Sequence, residues 1–464
     1  MLKINTTLTP ADLSPKLTRV FDLAAAKISS INNNTDGETP VFTINGKYTS
    51  RGWTEWTQGF QYGCAILQYD ATRDPAFLEM ARTNTLKKMA SHVSHIGVHD
   101  HGFNNVSTYG NLLRLMNEGV LEENKWERNF YELALKITGA VQASRWTALP
   151  EELGYIHSFN GAHSLFSDTI RSCRALVVSH QLGHVLMDEQ DIQVNLLQRA
   201  IQHAETTAKY NVYYGNNRDV WDISGRVVHE SIFNTKNGCY RCPSSQQGYS
   251  PFTTWTRGHA WVLCGFPEQL EFLENYSGVF SNSSNLSDRW HHLSKEKLIE
   301  KYLTVAEATA NFYLERTPTD GIPYWDDGAP GLVHLDDWMN KPADPFNDHE
   351  PVDSSAAAIA AQGLIRLGNF LQKRGGGDEG IRYLQAGLTV ASRLFEEPYL
   401  STNPDHQGLL LHSVYHRPNG WDHIPDGQKI PCGESSMWGD YHAMELAILI
   451  KRMAENQPYY TFFS

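Results

Sequence analysis

The segment "VDSSAAAIAAQGL", residues 352–364, decides the fold class of this 464-residue chain. Its small and apolar residues follow the period of a helix, and alanine is the strongest helix former, so the segment predicts a helix that neighbours approach closely. Apolar repeats near 3.6 recur along most of the chain, whereas strand-like alternation is short and scattered. We therefore predict an all-α protein in which helices crowd around a common axis.

The apolar pattern predicts twelve helices. They lie near residues 11–30, 53–69, 76–93, 108–118, 125–145, 164–185, 190–208, 255–274, 297–315, 353–372, 378–396 and 436–452. Six of them begin with aromatic, glycine or acidic clusters, and the helices between these are ordinary amphipathic surface helices. The clusters read "WTEWTQGFQYG", "HDHGF", "SLFSDT", "TWTRGHAW", "VDSSAAAIAAQG" and "SSMWGDYHAMEL". This alternation indicates six helical hairpins that close into a ring, with the decorated ends gathered at one mouth.

Two polar stretches interrupt the helical pattern. Residues 31–50 are rich in Asn, Thr and Gly, and residues 275–296 form a loop with serine and asparagine runs. Neither stretch resembles a linker between independent domains. We predict a single domain overall, in which residues 1–50 form an N-terminal extension with the first helix and residues 51–464 form the barrel.

The composition argues against several classes of partner. The formal net charge is -13, which disfavours a nucleic-acid or anionic-membrane surface. No segment reaches the roughly 18 uninterrupted apolar residues of a membrane span, and the start of the chain carries no signal-peptide pattern. Six cysteines are too few for a disulfide framework and fit a reducing compartment. We expect a cytoplasmic protein, or a periplasmic one if the start is that of a processed precursor.

The stretch "GVHDHGF", residues 97–103, allows more than one interpretation of Asp100. His99 and His101 lie two residues apart, so they share a face only in an extended segment, and a metal site would need ligands from elsewhere. Asp100 also suits a helix N-cap or a turn, or a catalytic carboxylate in a cleft. The cysteines of "CYRC", residues 239–242, have zinc-ligand spacing but lack a second pair to complete the site. We expect no metal and no cofactor.

A second candidate carboxylate stands in "SLFSDTIRSCRALVV". Apolar residues from Phe166 to Val177 recur at helical spacing, which places Asp168 about 200° around the helix from Phe166. On an inner helix that position faces a cavity. Aromatic neighbours there raise the pKa of a carboxylate, so that it can act as a general acid.

The segment "QQGYSPFTTWTRGHAW" adds Gln247, Trp255, Arg257 and Trp261. A tryptophan can stack on a sugar ring, and an arginine can bind a carboxylate through paired donors. Tryptophan is also common in helical cores, so both interpretations stay open at this point. Trp56 and Trp255 are the better ligand candidates, because each stands beside glycine and polar residues at a helix start.

Together the clusters resemble one family. "WTQGFQYG", "HDHGF", "SLFSDT", "TWTRGHAW", "DSSAAAIAAQGL" and "MWGDYHAMEL", in this order, resemble the unsaturated glucuronyl hydrolases of glycoside hydrolase family 88. The similarity runs from about residue 52 to residue 452, and the combination is more specific than any single motif. The chain is less similar to the unsaturated rhamnogalacturonyl hydrolases of family 105, which lack the aspartate of the "HD-x-GF" motif.

The resemblance implies an (α/α)6 barrel that removes the terminal 4,5-unsaturated uronic acid from oligosaccharides left by polysaccharide lyases. Such enzymes hydrate the vinyl ether instead of displacing the glycosidic bond directly. Asp168 matches the family's catalytic aspartate, which protonates C4 and then, as a base, directs water to C5. Asp100 matches the second aspartate, which holds the sugar hydroxyls and orients the acid.

The resemblance also implies substrate contacts. His229 and Gln247 match polar partners of the substrate, and Arg257 is expected to face the uronate carboxylate. The apolar residues of the pocket are expected to be Trp56, Phe60, Trp255 and Trp261.

Residues 1–50 and the segment 413–440 extend beyond the family pattern. In the family the second region helps to bind the neighbouring sugar. The residues expected to set specificity there are Tyr415, His416, Arg417 and Lys429. A basic residue at this place suits either a sulfate or a solvated loop, so both interpretations stay open.

Three alternative functions stay open. A hydrolase of saturated β-glucuronides would use the same pocket. A helical-toroid sugar epimerase would use histidine pairs as acid and base, which leaves the two aspartate motifs without a role. A non-catalytic carbohydrate-binding protein is disfavoured because both acids stand at motif positions. The expected partner is an unsaturated oligosaccharide, with no nucleic acid and no membrane, and the sequence makes no prediction of oligomeric state.

Overall fold

The computed structural model describes residues 1–34, 38–52, 55–278 and 294–463. Its α-helices are α1 Ser14–Asn34, α2 Gln58–Thr72, α3 Pro75–Lys88, α4 Ala90–Val93, α5 His101–Asn105, α6 Asn111–Asn117, α7 Lys125–Ser144, α8 Thr169–Ser172, α9 Arg174–Gln181, α10 Leu196–Tyr210, α11 Thr256–Asn275, α12 Lys295–Arg316, α13 Ser354–Lys373, α14 Gly377–Leu394 and α15 Met437–Ala454. A single π-helical turn, Val106–Gly110, joins α5 to α6, so these three form one continuous helical segment.

Six helical segments form an inner ring. They are α2, the α5–α6 segment, the α8–α9 segment, α11, α13 and α15, and each contacts the next, with α15 returning to α2. Six outer segments alternate with them along the chain: α1, α3 with α4, α7, α10, α12 and α14. This is the arrangement expected from the alternation of decorated and ordinary helices.

The inner helices are rich in small and apolar residues because they are buried on all sides. Residues 257–273 of α11, 354–368 of α13 and 437–450 of α15 are all buried. Gly363 of α13 packs against α11, where a Cβ would lie 2.4 Å from the carbonyl oxygen of Leu263. The small residues that decided the fold class therefore let two inner helices cross in close contact.

Nine short strands pair in four small antiparallel sheets of the described residues. They are β1 Pro40–Ile44, β2 Lys47–Ser50, β3 Trp146–Ala148, β4 Gly154–Ile156, β5 Ser164–Phe166, β6 Leu186–Met187, β7 Gln193–Val194, β8 Glu230–Phe233 and β9 Tyr240–Ser244. In the β5–β8–β9 sheet, Ser164 pairs with Ile232 and Phe166 pairs with Glu230. This sheet holds β5, which directly precedes α8, against β8.

Several helix starts differ from the sequence prediction: the helix expected near 190–208 begins at Leu196, and two others differ in ways that concern the site. The helix expected near 164–185 begins at Thr169, because the preceding residues pair as β5, and Asp168 takes the N-cap position. The argument that placed Asp168 on a helix face is therefore wrong. The helix expected near 108–118 begins earlier, at His101, through α5 and the π-helical turn. Both differences place an aspartate directly before a helix.

The N-terminal region packs on the segment before α15. In the hairpin β1–β2, the Thr43 amide donates to the Ser435 carbonyl at 2.8 Å, and the Tyr48 hydroxyl donates to Asp440 at 2.6 Å. Helix α1 packs against α2 and α15, and the division into an extension and a barrel at residue 50 stays a prediction. Most of the second predicted insertion, 275–296, lies outside the described residues.

Within the described ranges, no helix combines the length and the apolar character needed to cross a membrane.

Candidate active site

Four of the six inner segments, namely those that start with α2, α5, α8 and α11, begin at a cavity of about 600 Å³, a size typical of small-ligand sites. Its walls carry eight of the ten predicted site residues, namely Trp56, Asp100, Asp168, Gln247, Trp255, Arg257, Trp261 and Tyr415. The other two are Phe60 and His229. Both are buried, and their rings pack against residues of the wall. Four of the six decorated helix starts therefore meet at this cavity, and the starts of α13 and α15 lie behind its wall, where Asp353 binds Arg257 and Trp438 stacks on Trp56.

The two aspartates meet because two inner segments cross at a glycine. Gly102 of α5 faces Ser172 of α8, where a Cβ would lie 2.0 Å from the Ser172 carbonyl oxygen. The Ser172 hydroxyl accepts the Gly102 amide at 3.0 Å and donates to the carbonyl of His99 at 2.5 Å. The glycine of "HDHGF" therefore permits the crossing that brings Asp100 next to Asp168.

Asp100 and Asp168 occupy the N-cap positions of the short helices α5 and α8, yet neither side chain makes a capping hydrogen bond. Both side chains line the cavity, and each is 11% exposed. The backbone of Asp100 is thus that of a cap, while its carboxylate faces the space that a ligand would fill. Of the interpretations of "GVHDHGF", the cleft carboxylate fits this geometry.

His99 joins the two carboxylates. Its Nε2 lies 3.0 Å from Oδ2 of Asp168 and 3.7 Å from Oδ1 of Asp100, and its side chain is 2% exposed. The ring lies 6.2 Å from the ring of Phe159 and 5.7 Å from that of Phe166, measured between centroids. The sequence prediction treated His99 only as a metal ligand, so this link was missed.

His99 separates the pKa values of the two aspartates. Burial alone would raise the pKa of Asp168, but the hydrogen bond and charge of His99 outweigh burial and hold that pKa below its usual value. For Asp100, burial is the largest effect and the pKa is raised, with the charge of Asp168 adding to the rise. The expectation that aromatic surroundings raise the pKa of Asp168 is therefore wrong for the unliganded site.

His101, the second histidine of the motif, does not share this cluster. Its Nε2 bonds to the carbonyl of His95 at 2.7 Å, and burial lowers its pKa to about 4. The donor atoms of His99, Asp100 and Asp168 lie within 4.8 Å of one another, and no other such group occurs in the described parts of the chain. Because Nε2 of His99 already holds Asp168 through a hydrogen bond, we interpret the three residues as an ion-pair cluster and assign no metal to them.

Trp56 forms the apolar wall, and Phe60 supports it from behind. Trp56 stacks on Trp438 with 5.0 Å between ring centroids and meets Phe60 edge-on at 5.9 Å. Phe60 is fully buried and also packs against Phe103. The structure therefore places Phe60 where it fixes the wall in position, one layer away from a ligand.

The ring of His229 packs against Phe166, a residue of the wall. Its hydrogen bonds fix its tautomer. Its Nδ1 accepts the backbone amides of Gln246 and Gln247 at 3.0 and 3.2 Å, so the proton of the neutral ring is on Nε2. Burial lowers the pKa of His229 to about 4, which keeps the ring neutral. Within the described residues, Nε2 of His229 and Oδ1 of Asp168 are both buried without a hydrogen-bond partner. A buried donor and a buried acceptor are thus available to a water or a ligand hydroxyl.

Arg257 lines the cavity but is held by protein groups. Its Nη1 donates to Asp353 at 2.8 Å and to the carbonyl of Val414, and its Nη2 donates to the carbonyl of Tyr415 at 2.8 Å. Nη2 also donates to Oε1 of Gln247 at 3.0 Å, which leaves the amide nitrogen of Gln247 as the donor that a ligand can meet. Because Asp353 balances the charge of Arg257, the expected contact with a uronate carboxylate stays a prediction.

The segment 413–436 contributes aromatic rings to the cavity lining, whereas its cations Arg417 and Lys429 do not line the cavity. Its cavity-lining residues are Tyr415, His416 and Trp421. Lys429 forms an exposed ion pair with Asp348 at 2.7 Å, and Arg417 belongs to a turn outside the cavity lining. The two cations predicted to set specificity therefore do not line the cavity.

Two aromatic residues of the wall, Phe159 and Trp421, were missed together with His99. The aromatic pair lies in connections without helical or strand periodicity, so the sequence carried no signal for their direction. His99 did leave a signal, since a histidine directly beside a helix-start carboxylate is placed to meet a second carboxylate from a neighbouring helix start.

Comparison with known proteins gives relatives over most of the chain. No protein-family model matches. The unsaturated glucuronyl hydrolase of Formosa agariphila is 24% identical over 414 residues, which cover 84% of this chain and 78% of the relative. The unsaturated chondroitin disaccharide hydrolase of Streptococcus agalactiae is 26% identical over 417 residues, which cover 88% and 84%.

Solved structures show the same fold. The crystal structure of the unsaturated glucuronyl hydrolase of Bacillus sp. GL1 superposes with a TM-score of 0.67 at 20% identity, covering 94% of this chain and 97% of that one. One structure of the Streptococcus agalactiae enzyme holds dGlcA-GalNAc6S. The predicted (α/α)6 barrel is confirmed by this likeness, and the predicted resemblance is confirmed by the sequence relatives.

Proposed function

We propose that this chain, a relative of the unsaturated glucuronyl hydrolases, removes the terminal 4,5-unsaturated uronic acid from lyase-generated oligosaccharides by hydrating the C4=C5 vinyl ether. The observation that carries the proposal is the cluster of Asp100, Asp168 and His99 on the wall of an aromatic cavity. A vinyl ether accepts a proton on carbon only from a well-placed acid, and the positive charge that then develops needs a nearby anion. The cluster supplies both.

Asp168 is the acid and base in this proposal. Its carboxyl group gives a proton to C4, the C4=C5 electron pair forms the new C–H bond, and an oxocarbenium ion develops across C5 and the ring oxygen. The carboxylate then takes a proton from water while the water oxygen bonds to C5. The resulting hemiketal opens the ring, which leaves a hemiacetal at C1 that releases the neighbouring sugar. One water is consumed for each glycosidic bond lost.

Asp100 stabilises the oxocarbenium ion and orients the acid. Its oxygen lies within 4.8 Å of the reacting Asp168 group, close enough for its charge to favour the oxocarbenium ion. The rule that relates carboxylate separation to stereochemical outcome does not apply to this proposal, because hydration does not pass through direct displacement at C1.

His229 is the proposed partner of the attacking water. Among the described residues, none accepts the proton on Nε2 of His229 and none donates to Oδ1 of Asp168. A water held by both groups would have its oxygen oriented by His229 and its proton directed to Asp168. This geometry supports delivery of water to C5 after the proton has reached C4.

Two features favour the negatively charged end of the substrate. The amide nitrogen of Gln247 is turned to a ligand because Arg257 binds its oxygen. The N-terminal end of α11, which starts after Trp255, faces the cavity with the positive end of its helix dipole. Together they suit a uronate carboxylate even though the whole chain is acidic.

The mouth of the cavity is proposed to hold the neighbouring sugar. Tyr415, His416 and Trp421 offer ring faces there, and aromatic faces bind the apolar side of a pyranose. The proposed partner is therefore an oligosaccharide of at least two units. The cytoplasm is the proposed location, supported by six cysteines that are all free.

The test is a panel of lyase-generated unsaturated disaccharides from several polysaccharides. The purified protein is mixed with each, and the ultraviolet absorbance of the conjugated enoate is followed. We expect absorbance to fall with at least one substrate, and to stay constant with the Asp168→Asn variant at equal protein concentration. Release of sugar from a saturated β-glucuronide, with no loss of absorbance from any unsaturated substrate, would overturn the proposal.

A further inference from the structure

His99 is held so that its ring cannot leave the two carboxylates. Its backbone carbonyl accepts hydrogen bonds from Gln142 at 3.0 Å and from Ser172 at 2.5 Å. Gln142 also donates to the Ser172 hydroxyl at 2.9 Å, so α7, α8 and the His99 backbone form one network. With Phe159 and Phe166 flanking the ring, the position of Nε2 is set by the fold.

The charges around His99 favour a proton shared with Asp168. Burial alone would lower the pKa of His99, but the two carboxylates outweigh burial and raise it above its usual value. The other titratable groups that act on the ring come from different elements, and they are Arg145 after α7, His157 after β4, His203 of α10 and His229 before β8. All of these histidines have lowered pKa values and are neutral near pH 7, so the carboxylates dominate.

We propose that His99 is a positioning residue that stores the catalytic proton for Asp168, so that the working acid is the hydrogen-bonded pair of His99 and Asp168. This inference rests on the proposed function. It explains how a carboxylate held in its ionised form by a hydrogen bond 3.0 Å long can still act as an acid. The proton resides on Nε2 of His99 in the resting site and is one hydrogen bond away from Oδ2.

The proton balance closes over one turnover. Asp168 receives the proton of His99 Nε2 and gives a proton to C4, where the C4=C5 electron pair forms the new C–H bond, and the imidazole is left neutral. When water bonds to C5, Asp168 accepts the water proton and passes it back to Nε2. The pair thus loses and regains one proton, and Asp100 stays a fixed charge throughout.

The variant His99→Gln tests this inference. Glutamine can keep a hydrogen bond to Asp168 but cannot store a proton. The kcat and KM for an unsaturated disaccharide are measured across pH for the variant and the parent. Activity of the parent needs the pair protonated once, so it falls as pH rises through the pKa of the pair. In His99→Gln the proton must sit on Asp168 alone, so we expect the alkaline limb to move to lower pH, kcat to fall by ~10-fold or more, and KM to change little.

His101→Gln is the matched control. His101 is also buried and two residues away, but it bonds to a backbone carbonyl and not to either aspartate. For His101→Gln, we expect the alkaline limb of the pH–activity profile at the same pH as in the parent, even if kcat differs. An unshifted limb in His99→Gln overturns the inference and leaves the proposed function standing, whereas turnover by Asp168→Asn overturns the proposed function itself.

A second variant covers failure of the first to fold or to react. His99→Ala leaves space for free imidazole in the cavity wall. We expect added imidazole to restore turnover, with an alkaline limb near that of the parent. A folded His99→Ala protein with bound substrate that imidazole does not rescue would contradict proton storage by His99.

Discussion

Two buried charge clusters on the inner helices differ in their charge balance. The interior cluster consists of Arg171, Arg174, Glu268, Glu445 and His442, and all five side chains are nearly or fully buried. Arg171 binds Glu268 through two hydrogen bonds of 3.1 and 3.0 Å and Glu445 at 2.8 Å. Two arginines balance two glutamates. The site cluster of His99, Asp100 and Asp168 has more carboxylates than cations.

The comparison shows that charge balance, not burial, separates the interior cluster from the proposed catalytic one. Arg171 stands one helical turn after Asp168, so both belong to the same crossing of inner segments. In the interior cluster, burial would raise the pKa of Glu445, but Arg171 and Arg174 hold it well below its usual value. A charge-balanced network fixes the ring of helices, whereas one with surplus carboxylate charge leaves groups for a substrate.

Removing the acid should have the largest effect on rate. Asp168→Asn keeps the shape of the side chain but removes the proton that C4 needs. We expect kcat to fall by ~10²–10⁴-fold or more, with the melting temperature within a few degrees of the parent. Steady-state absorbance assays and thermal unfolding check both parts. Parent-like turnover would remove Asp168 from the chemistry.

Breaking the interior cluster should have the opposite signature. Arg171→Met leaves Glu268 and Glu445 with one arginine fewer, and removing one partner of a buried pair typically costs about 3–5 kcal/mol. We expect a large drop in the free energy of unfolding, measured by denaturant titration. Arg128→Met, which breaks an exposed pair with Glu123, is the control and should cost at most about 1 kcal/mol. Equal losses in the two variants would contradict a structural role for the interior cluster.

Neutralising the surplus charge should stabilise the protein while harming activity. At neutral pH, burial makes ionisation of the Asp100 carboxyl group costly, since its pKa is raised in the fold. Asp100→Asn is expected to gain about 0.5–2 kcal/mol there and to lose most of its kcat. The gain should vanish as pH falls below the ordinary pKa of aspartate, where Asp100 is protonated in both the folded and unfolded states. Stability measured at neutral and acidic pH decides; a gain that persists in acid contradicts the charge explanation.

The smallest effect is expected at the mouth. Trp421→Ala removes a ring face from the proposed second-sugar position, so we expect KM to rise by ~3- to 10-fold with kcat nearly unchanged. Lys429→Ala is the control from the same segment, because Lys429 pairs with Asp348 on the surface. It should leave both constants unchanged. A larger effect from Lys429→Ala than from Trp421→Ala would show that the charge contacts the substrate.

The ring of helices and the two aspartates were predictable because local sequence patterns indicate them. The small residues around Gly363 fix close helix crossings, and Asp100 and Asp168 each stand in a motif at a helix start. The helix-face argument for Asp168 was wrong because β5 pairs with a strand 66 residues away, as measured by the Ser164 to Glu230 contact. A three-residue strand is too short to show a recognisable alternation of apolar and polar residues.

Long-range pairings escaped the sequence. His99 and Asp168 are 69 residues apart, and Arg171 and Glu445 are 274 apart, so neither contact leaves a local pattern. The contact between His99 and Asp168 depends on the crossing at Gly102, whose geometry exists only once the ring has closed. The direction of the pKa shift at Asp168 followed from His99 and was therefore predicted with the wrong sign.

The central claim is that the protein delivers a proton to C4 of the substrate. The most direct test is to run the reaction in D2O with an unsaturated disaccharide and to examine the released uronic acid by proton NMR at early times. Hydration by Asp168 predicts one deuterium at C4 on a single face, because the acid approaches from one wall of the cavity. Release of the neighbouring sugar with no deuterium at C4, or with deuterium on both faces equally, would contradict the account.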